Sequence, residues 1–133
     1  MCDSALWSLL EYRTAGGRGV ISQWVAKEIE TEAEITFHTL LRLLQNSPRD
    51  LWVRPDYSPL DSEIGEIRFK ANRLEHRVFG FFLPEAGQYV MLVGSTKKGK
   101  NYSPRDAIDT ARKRRQQVLA DRSCIHEYTD HRF

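Results

Sequence analysis

Three consecutive apolar runs of this chain each carry isolated cations: Glu66-Ile67-Arg68-Phe69, His76-Arg77-Val78-Phe79-Gly80-Phe81-Phe82, and Val90-Met91-Leu92-Val93-Gly94-Ser95-Thr96-Lys97-Lys98. Runs of this kind read as strands. Cations recurring at strand ends in an otherwise apolar sheet converge on one surface, where a phosphate offsets their mutual repulsion. Arginine suits that task because its planar fork supplies paired donors and stays charged.

The elements that must position these side chains follow from periodicity and punctuation. Leu6 to Arg13 reads as a first strand, stopped by Ala15-Gly16-Gly17. Val20, Trp24, Val25 and Ile29 mark the buried stripe of a helix from about Val20 to Glu30. A second helix restarts at Thr31 behind Glu32 and Glu34, carries Phe37, Leu40, Leu41 and Leu44 on one face, and ends before Asn46-Ser47-Pro48. Residues 47 to 62, rich in Pro and Asp, read as a connection that Trp52 pins to the core. Glu63 to Ala71 alternates cleanly, with Ile67, Phe69 and Ala71 on one side and Glu66, Arg68 and Lys70 on the other. Asn72 to Glu75 links it to His76–Leu83, which forms a central hairpin with Gln88–Thr96 across Pro84-Glu85-Ala86-Gly87. Lys97 to Tyr102 reads as a basic loop. Ser103 is a good N-cap for a third helix with Pro104 in its first turn, Ala107, Ile108, Ala111, Val118 and Leu119 as its packing stripe, and Arg112 to Arg115 as its charged part. We expect one domain over residues 1–121, with a polar tail from 122 to 133.

Bulk properties agree with a globular chain. It has 133 residues, 41% hydrophobic and 29% charged, and no apolar run near the ~20 residues that cross a bilayer. Met1-Cys2-Asp3-Ser4 lacks a secretory signal pattern, so the cytosol is the default compartment and Cys2 and Cys124 read as reduced thiols. Net charge is only +2, yet residues 1–65 hold 6 Lys/Arg against 10 Asp/Glu, while residues 96–122 hold 9 against 3. Such asymmetry favours a polyanionic partner for the second half, nucleic acid before membrane. A solvated basic helix is the plainer alternative.

The order strand, helix, helix, long link, three strands, helix resembles the RelE/HigB toxin superfamily, in particular its phage-derived Gp49-like branch. The residues that carry the resemblance run from Trp7 to Val118: Trp7–Tyr12 before a Gly-rich turn, Val20-Ile21-Ser22-Gln23-Trp24-Val25, Leu60 with Gly65-Glu66-Ile67-Arg68-Phe69, His76-Arg77-Val78-Phe79, and Lys97-Lys98 with Ser103-Pro104 and Ala111. The resemblance implies an α+β fold, a twisted and mostly antiparallel sheet of about four strands with two N-terminal helices and one C-terminal helix. It also implies the toxin of a type II toxin–antitoxin pair, a ribosome-dependent mRNA endoribonuclease in which a ribose 2′-OH attacks the adjacent phosphate. Its partners would be a cognate antitoxin, commonly of helix-turn-helix type, together with the ribosome and mRNA. No cofactor or metal is implied.

On that resemblance, Arg77 is the first candidate to clamp the scissile phosphate, with Arg68 beside it and Lys98 stabilising charge or accepting a proton. Lys97, Lys98, Lys100, Arg112 and Arg115 are candidates to hold RNA. Many active relatives carry a Tyr or His near the end of the last strand or close to the C-terminus; here Gly94, Ser95 and Thr96 stand at the strand end. Tyr102 enters the catalytic candidates by nearness alone, and His76 sits beside Arg77, neither being carried over from the family's pattern. The alternative for Arg68 is a cross-strand ion pair with Glu66 or Glu75. Alternatives for the whole chain are a non-enzymatic inhibitor like the ParE branch, and a degenerate relative that binds nucleic acid or an antitoxin. Cys124, His126 and His131 are too loosely spaced for a structural zinc site, and His38 reads as a histidine at the edge of its helix's apolar stripe.

Overall fold

Alternation along the strands determines this architecture, because a strand that is apolar on both faces must be covered on both. The computed structural model describes residues 5–129 apart from the side chain of Lys98. The elements in order are β1 (Ser8–Tyr12), α1 (Val20–Lys27), α2 (Thr31–Gln45), β2 (Tyr57–Pro59), β3 (Gly65–Ala71), β4 (Leu74–Leu83), β5 (Gln88–Lys98), β6 (Asn101–Ser103), α3 (Ala107–Ala120) and β7 (Ile125–Glu127). The sheet runs β2-β3-β4-β5-β1-β7, with β6 paired to the far end of β5. Among the described residues only β1 and β5 pair in parallel, so the sheet is mostly antiparallel.

Two cores result. Helices α1 and α2 cover one face, where Ile21, Trp24, Phe37, Leu41 and Leu44 pack on Leu9, Ile67, Phe69, Val78 and Met91. Helix α3 covers part of the other, where Ala107, Ala111 and Val118 pack with Leu10, Phe79, Phe81, Val90 and Leu92. Trp24 and Trp52 are buried anchors, and Trp7 lies edge-on to Phe82 with its ring 4.8 Å away. A bulge where Phe79 and Gly80 face Val93 and Met91 lets Leu92 and Val93 both enter the α3 core. Asn72 and Arg73, both at positive φ, make the tight β3–β4 turn with the twist a hairpin favours.

The α+β class holds, but the sheet has seven strands among the described residues, more than the expected four. The additional strands are short ones that no alternation could signal. Tyr57–Pro59 lies in the stretch read as a connection, and Asn101–Ser103 in the stretch read as a basic loop. Ile125–Glu127 lies in the tail, where it pairs with β1. Ser103 is a ladder residue opposite Thr96 and not an N-cap; α3 begins at Ala107, with no side-chain cap on its first turn. His38 is buried, with Nε2 2.7 Å from the Tyr128 hydroxyl, because that tail folds back over α2. No helix among the described residues is long and apolar enough to cross a membrane.

Candidate functional site

Register brings the strand cations into rows. Arg68 on β3 stands opposite Arg77 on β4, and Arg77 opposite Ser95 on β5. In the next row Lys70 faces Glu75, Glu75 faces Lys97, and Lys97 faces Tyr102 on β6. Because successive residues of a strand point to opposite faces, these rows lie on the face away from α1 and α2. His76 accordingly points the other way: its ring stacks on Phe69 at 4.9 Å, and Nδ1 lies 3.0 Å from Thr96 Oγ1. Burial, and then the charge of Arg77, lower its pKa below 6.5. His76 is therefore a core histidine, turned away from the cationic row.

The two arginines differ sharply. Arg77 is only 3% exposed and every nitrogen of its guanidinium is engaged. Nη2 donates to Glu75 Oε1 at 2.7 Å, Nη1 donates to the His76 carbonyl at 3.0 Å, and Nε lies 3.6 Å from Glu66 Oε2. The ion pairing with Glu66 or Glu75 that is the alternative for Arg68 is thus made by Arg77, across to β3 for Glu66 and within β4 for Glu75. Arg68 is half-buried, its Nε has no hydrogen-bond partner, and no carboxylate pairs with its guanidinium among the described residues. A half-buried cation with an unpaired donor calls for an anion.

Around it, the Glu75 side chain is 48% exposed, and its pKa is lowered by the Arg77 hydrogen bond and charge, with Lys97 and Lys70 adding to the effect. Glu66 is buried by contrast, so Glu75 is the carboxylate of the pair that solvent can reach. Tyr102 packs edge-on to Phe79 at 5.5 Å, and Lys97 Nζ lies 5.8 Å from its ring centre. Burial raises the Tyr102 pKa above 10, which keeps its hydroxyl a donor. Lys97 is half-buried at the end of β5, the Lys98 backbone pairs with Asn101, and Lys100 is exposed in the β5–β6 turn.

Arg112 and Arg115 fall outside these rows. Arg112 Nη1 lies 2.6 Å from Asp61 Oδ2 and 3.6 Å from Glu63 Oε1, and Arg115 Nη1 lies 3.2 Å from Glu63 Oε2. The acidic turn before β3 therefore screens both. Asp61 is itself held down at about 2 by the Glu63 and Ile64 amides and then by Arg112. In the tail, the Cys124 thiol donates to the Asp121 carbonyl, and His126 Nε2 lies 2.8 Å from Glu11 Oε2; His131 and Cys2 are outside the described residues.

Beside Arg68, a cleft of about 760 Å³ opens between the outer side of α2 and the margin of the sheet. Ile35, Thr39, Leu40 and Leu43 form one wall, and Pro55, Asp56, Arg68, Lys70, Glu75 and Arg77 line the rest. The charges at its mouth were readable as residue types. That α2 would present an apolar stripe there was signalled only by Ile35 and Leu43 lying off the buried face.

The chain is an α+β protein of the RelE/HigB-like toxin superfamily branch, a placement carried by its family match. Within that branch the chain belongs to the phage-derived Gp49-like family, whose model, described as "Phage derived protein Gp49-like (DUF891)", matches residues 26–116, from the end of α1 into α3. The match spans every strand of the cationic rows. No curated protein and no solved structure matches the chain.

Proposed function

We propose that this chain is the toxin of a type II toxin–antitoxin pair and acts in the cytoplasm as a ribosome-dependent mRNA endoribonuclease. The observation that carries the reading is the unpaired Arg68 guanidinium in one face-sharing set with Lys97 and Tyr102, inside the segment that matches the family. Arg68 holds the scissile phosphate, with Lys97 and Lys98 stabilising the charge that grows on it. Arg77 orients Glu75, which accepts the proton of the 2′-OH. The 2′-oxygen then bonds to phosphorus and the P–O5′ bond breaks, leaving a 2′,3′-cyclic phosphate. Tyr102 gives its proton to the departing 5′-oxygen. Lys100, with Arg112 and Arg115 once Asp61 and Glu63 yield them, holds RNA of the substrate or the ribosome. Positioning by the ribosome supplies much of the rate, so a sparse acid–base set suffices. A helix-turn-helix antitoxin is the expected neutralising partner.

The test is regulated expression in a bacterium with mapping of mRNA 5′ ends during growth arrest, for wild type, Arg68→Ala and Tyr102→Phe. New ends inside translated codons, lost in Arg68→Ala, are the expected result. A non-enzymatic inhibitor of a protein target is the second reading, favoured by the apolar wall of the Arg68 cleft and the neutralised Arg77; arrest without cuts selects it. Absence of arrest selects a degenerate relative.

A further inference from the structure

The cleft beside Arg68 has three properties that together describe an occupant. Its first wall is an apolar stripe of α2 with no partner among the described residues, in which Ile35 is 44% and Leu43 57% exposed, with Thr39 between them. These residues are eight positions apart, about 12 Å along a helix, which is the reach of roughly four extended residues.

Its floor is an open sheet edge. Strand β2 pairs with β3 at Pro59–Gly65, Ser58–Glu66 and, last, Tyr57–Ile67, and the Arg68 N–H is then taken by the Asp56 carbonyl at 2.8 Å. Outward-facing backbone groups recur at every second residue of an antiparallel strand, so Lys70 turns its own N–H and C=O outward where β2 has ended. The groove is bounded at one end by Pro55 and Asp56. Beyond Lys70, Asn72 Nδ2 donates to Glu30 Oε2 at 2.6 Å and ties the β3–β4 turn to the α1–α2 link.

Its third property is charge. Arg68, with its unpartnered Nε, and the exposed Lys70 face Asp56 and a Glu75 already held by Arg77. That mixture accepts one carboxylate at Arg68 and disfavours a run of them.

We infer that this groove binds a short extended segment of a partner protein, added to β3 as a strand next to Lys70. The segment sets apolar side chains against Ile35 and Leu43 and one Asp or Glu against Arg68. Main-chain pairing at Lys70 supplies orientation, and the α2 stripe and Arg68 supply selectivity. The binding itself does not depend on the nuclease reading. Its consequence does: if Arg68 is the phosphate clamp, a bound segment and RNA exclude one another at that guanidinium.

The experiment is a selection of displayed seven-residue peptides on the wild-type protein, depleted on an Ile35→Glu/Leu43→Glu variant. Both positions are exposed, and circular dichroism checks that the variant folds. Expected survivors alternate two apolar residues with polar ones, carry one acidic residue and bind Arg68→Gln about tenfold or more weakly. They also slow hydrogen exchange of the Lys70 amide. Overturning results are no survivors, survivors that bind the double variant equally, or binders that leave the Lys70 amide unprotected. Mapping mRNA ends with the double variant keeps the two readings apart. Cuts retained with peptide binding lost support the groove and leave the nuclease reading standing, whereas peptide binding in wild type without any cuts supports the groove alone.

Discussion

Glu75 and Arg77 stand two residues apart on one face of β4, and Oε1 of the carboxylate receives Nη2 of the guanidinium at 2.7 Å. With Glu66 behind it, this pair turns Arg77 from a free cation into the support of an exposed carboxylate. The neighbouring arginine, opposite on β3, is left to meet an anion.

The two arginines should therefore respond differently to truncation. Arg77→Ala leaves the buried Glu66 uncompensated and should cost about 3–5 kcal/mol of stability. Arg68→Ala should cost less than about 1 kcal/mol while reducing cleavage by roughly 10²–10³-fold. Urea unfolding of both variants, beside mRNA end mapping, checks the pair; comparable destabilisation by the two would contradict the assignment.

Tyr102→Phe removes only a hydroxyl, so the fold should persist and the chemical step should slow by about 10²-fold. Because the Tyr102 pKa is raised above 10, the wild-type donor stays protonated through neutral and mildly alkaline pH. Single-turnover cleavage on programmed ribosomes should show no loss assignable to Tyr102 below about pH 10. A Tyr102-dependent fall near pH 8 would remove it from the mechanism.

His76 predicts a pH dependence of stability. Its folded pKa lies below 6.5, so just below that value the unfolded chain binds more protons than the folded one. Stability from this group is complete above about pH 6.5 and declines as pH falls toward the folded pKa. His76→Gln should flatten that part of the profile, measured by denaturant titration from pH 4.5 to 7.5. An NMR titration placing the ring above 6.5 would refute the sign.

Glu11 is 1% exposed and takes the Ile21 and Ser22 amides at 2.9 and 2.8 Å, with the Ser22 hydroxyl also donating to it. It supplies the N-terminal acceptor that α1 lacks at Gly19, and His126 on β7 closes over its other side. Glu11→Ala should cost about 3 kcal/mol and detach β7. Faster hydrogen exchange in α1 and at Ile125–Glu127, beyond that of the central strands, is the expected signature.

Much of this was legible in the chain. The alternation of Glu66 to Ala71 and the doubly apolar runs to either side of Pro84 gave β3, β4 and β5, and Phe37, Leu40, Leu41 and Leu44 gave α2. Strand alternation also fixes the direction of His76, since a residue adjacent to Arg77 must point to the opposite face. Glu11, one residue of the apolar first strand, gives no sign of its role in the sequence, because the amides it meets belong to a helix that folds back over it.

The sequence by itself determined which residue types lie on which face of the central strands, and with them the family and the cationic character of the sheet, because periodicity is a local property of the chain. The tertiary structure alone decided that Arg77 is neutralised and Arg68 is not, that β2, β6 and β7 are strands, and that α2 leaves a groove beside β3. The physical reason is that an arginine's partner, or a three-residue strand's ladder, is set by groups that only the folded chain brings within hydrogen-bond reach.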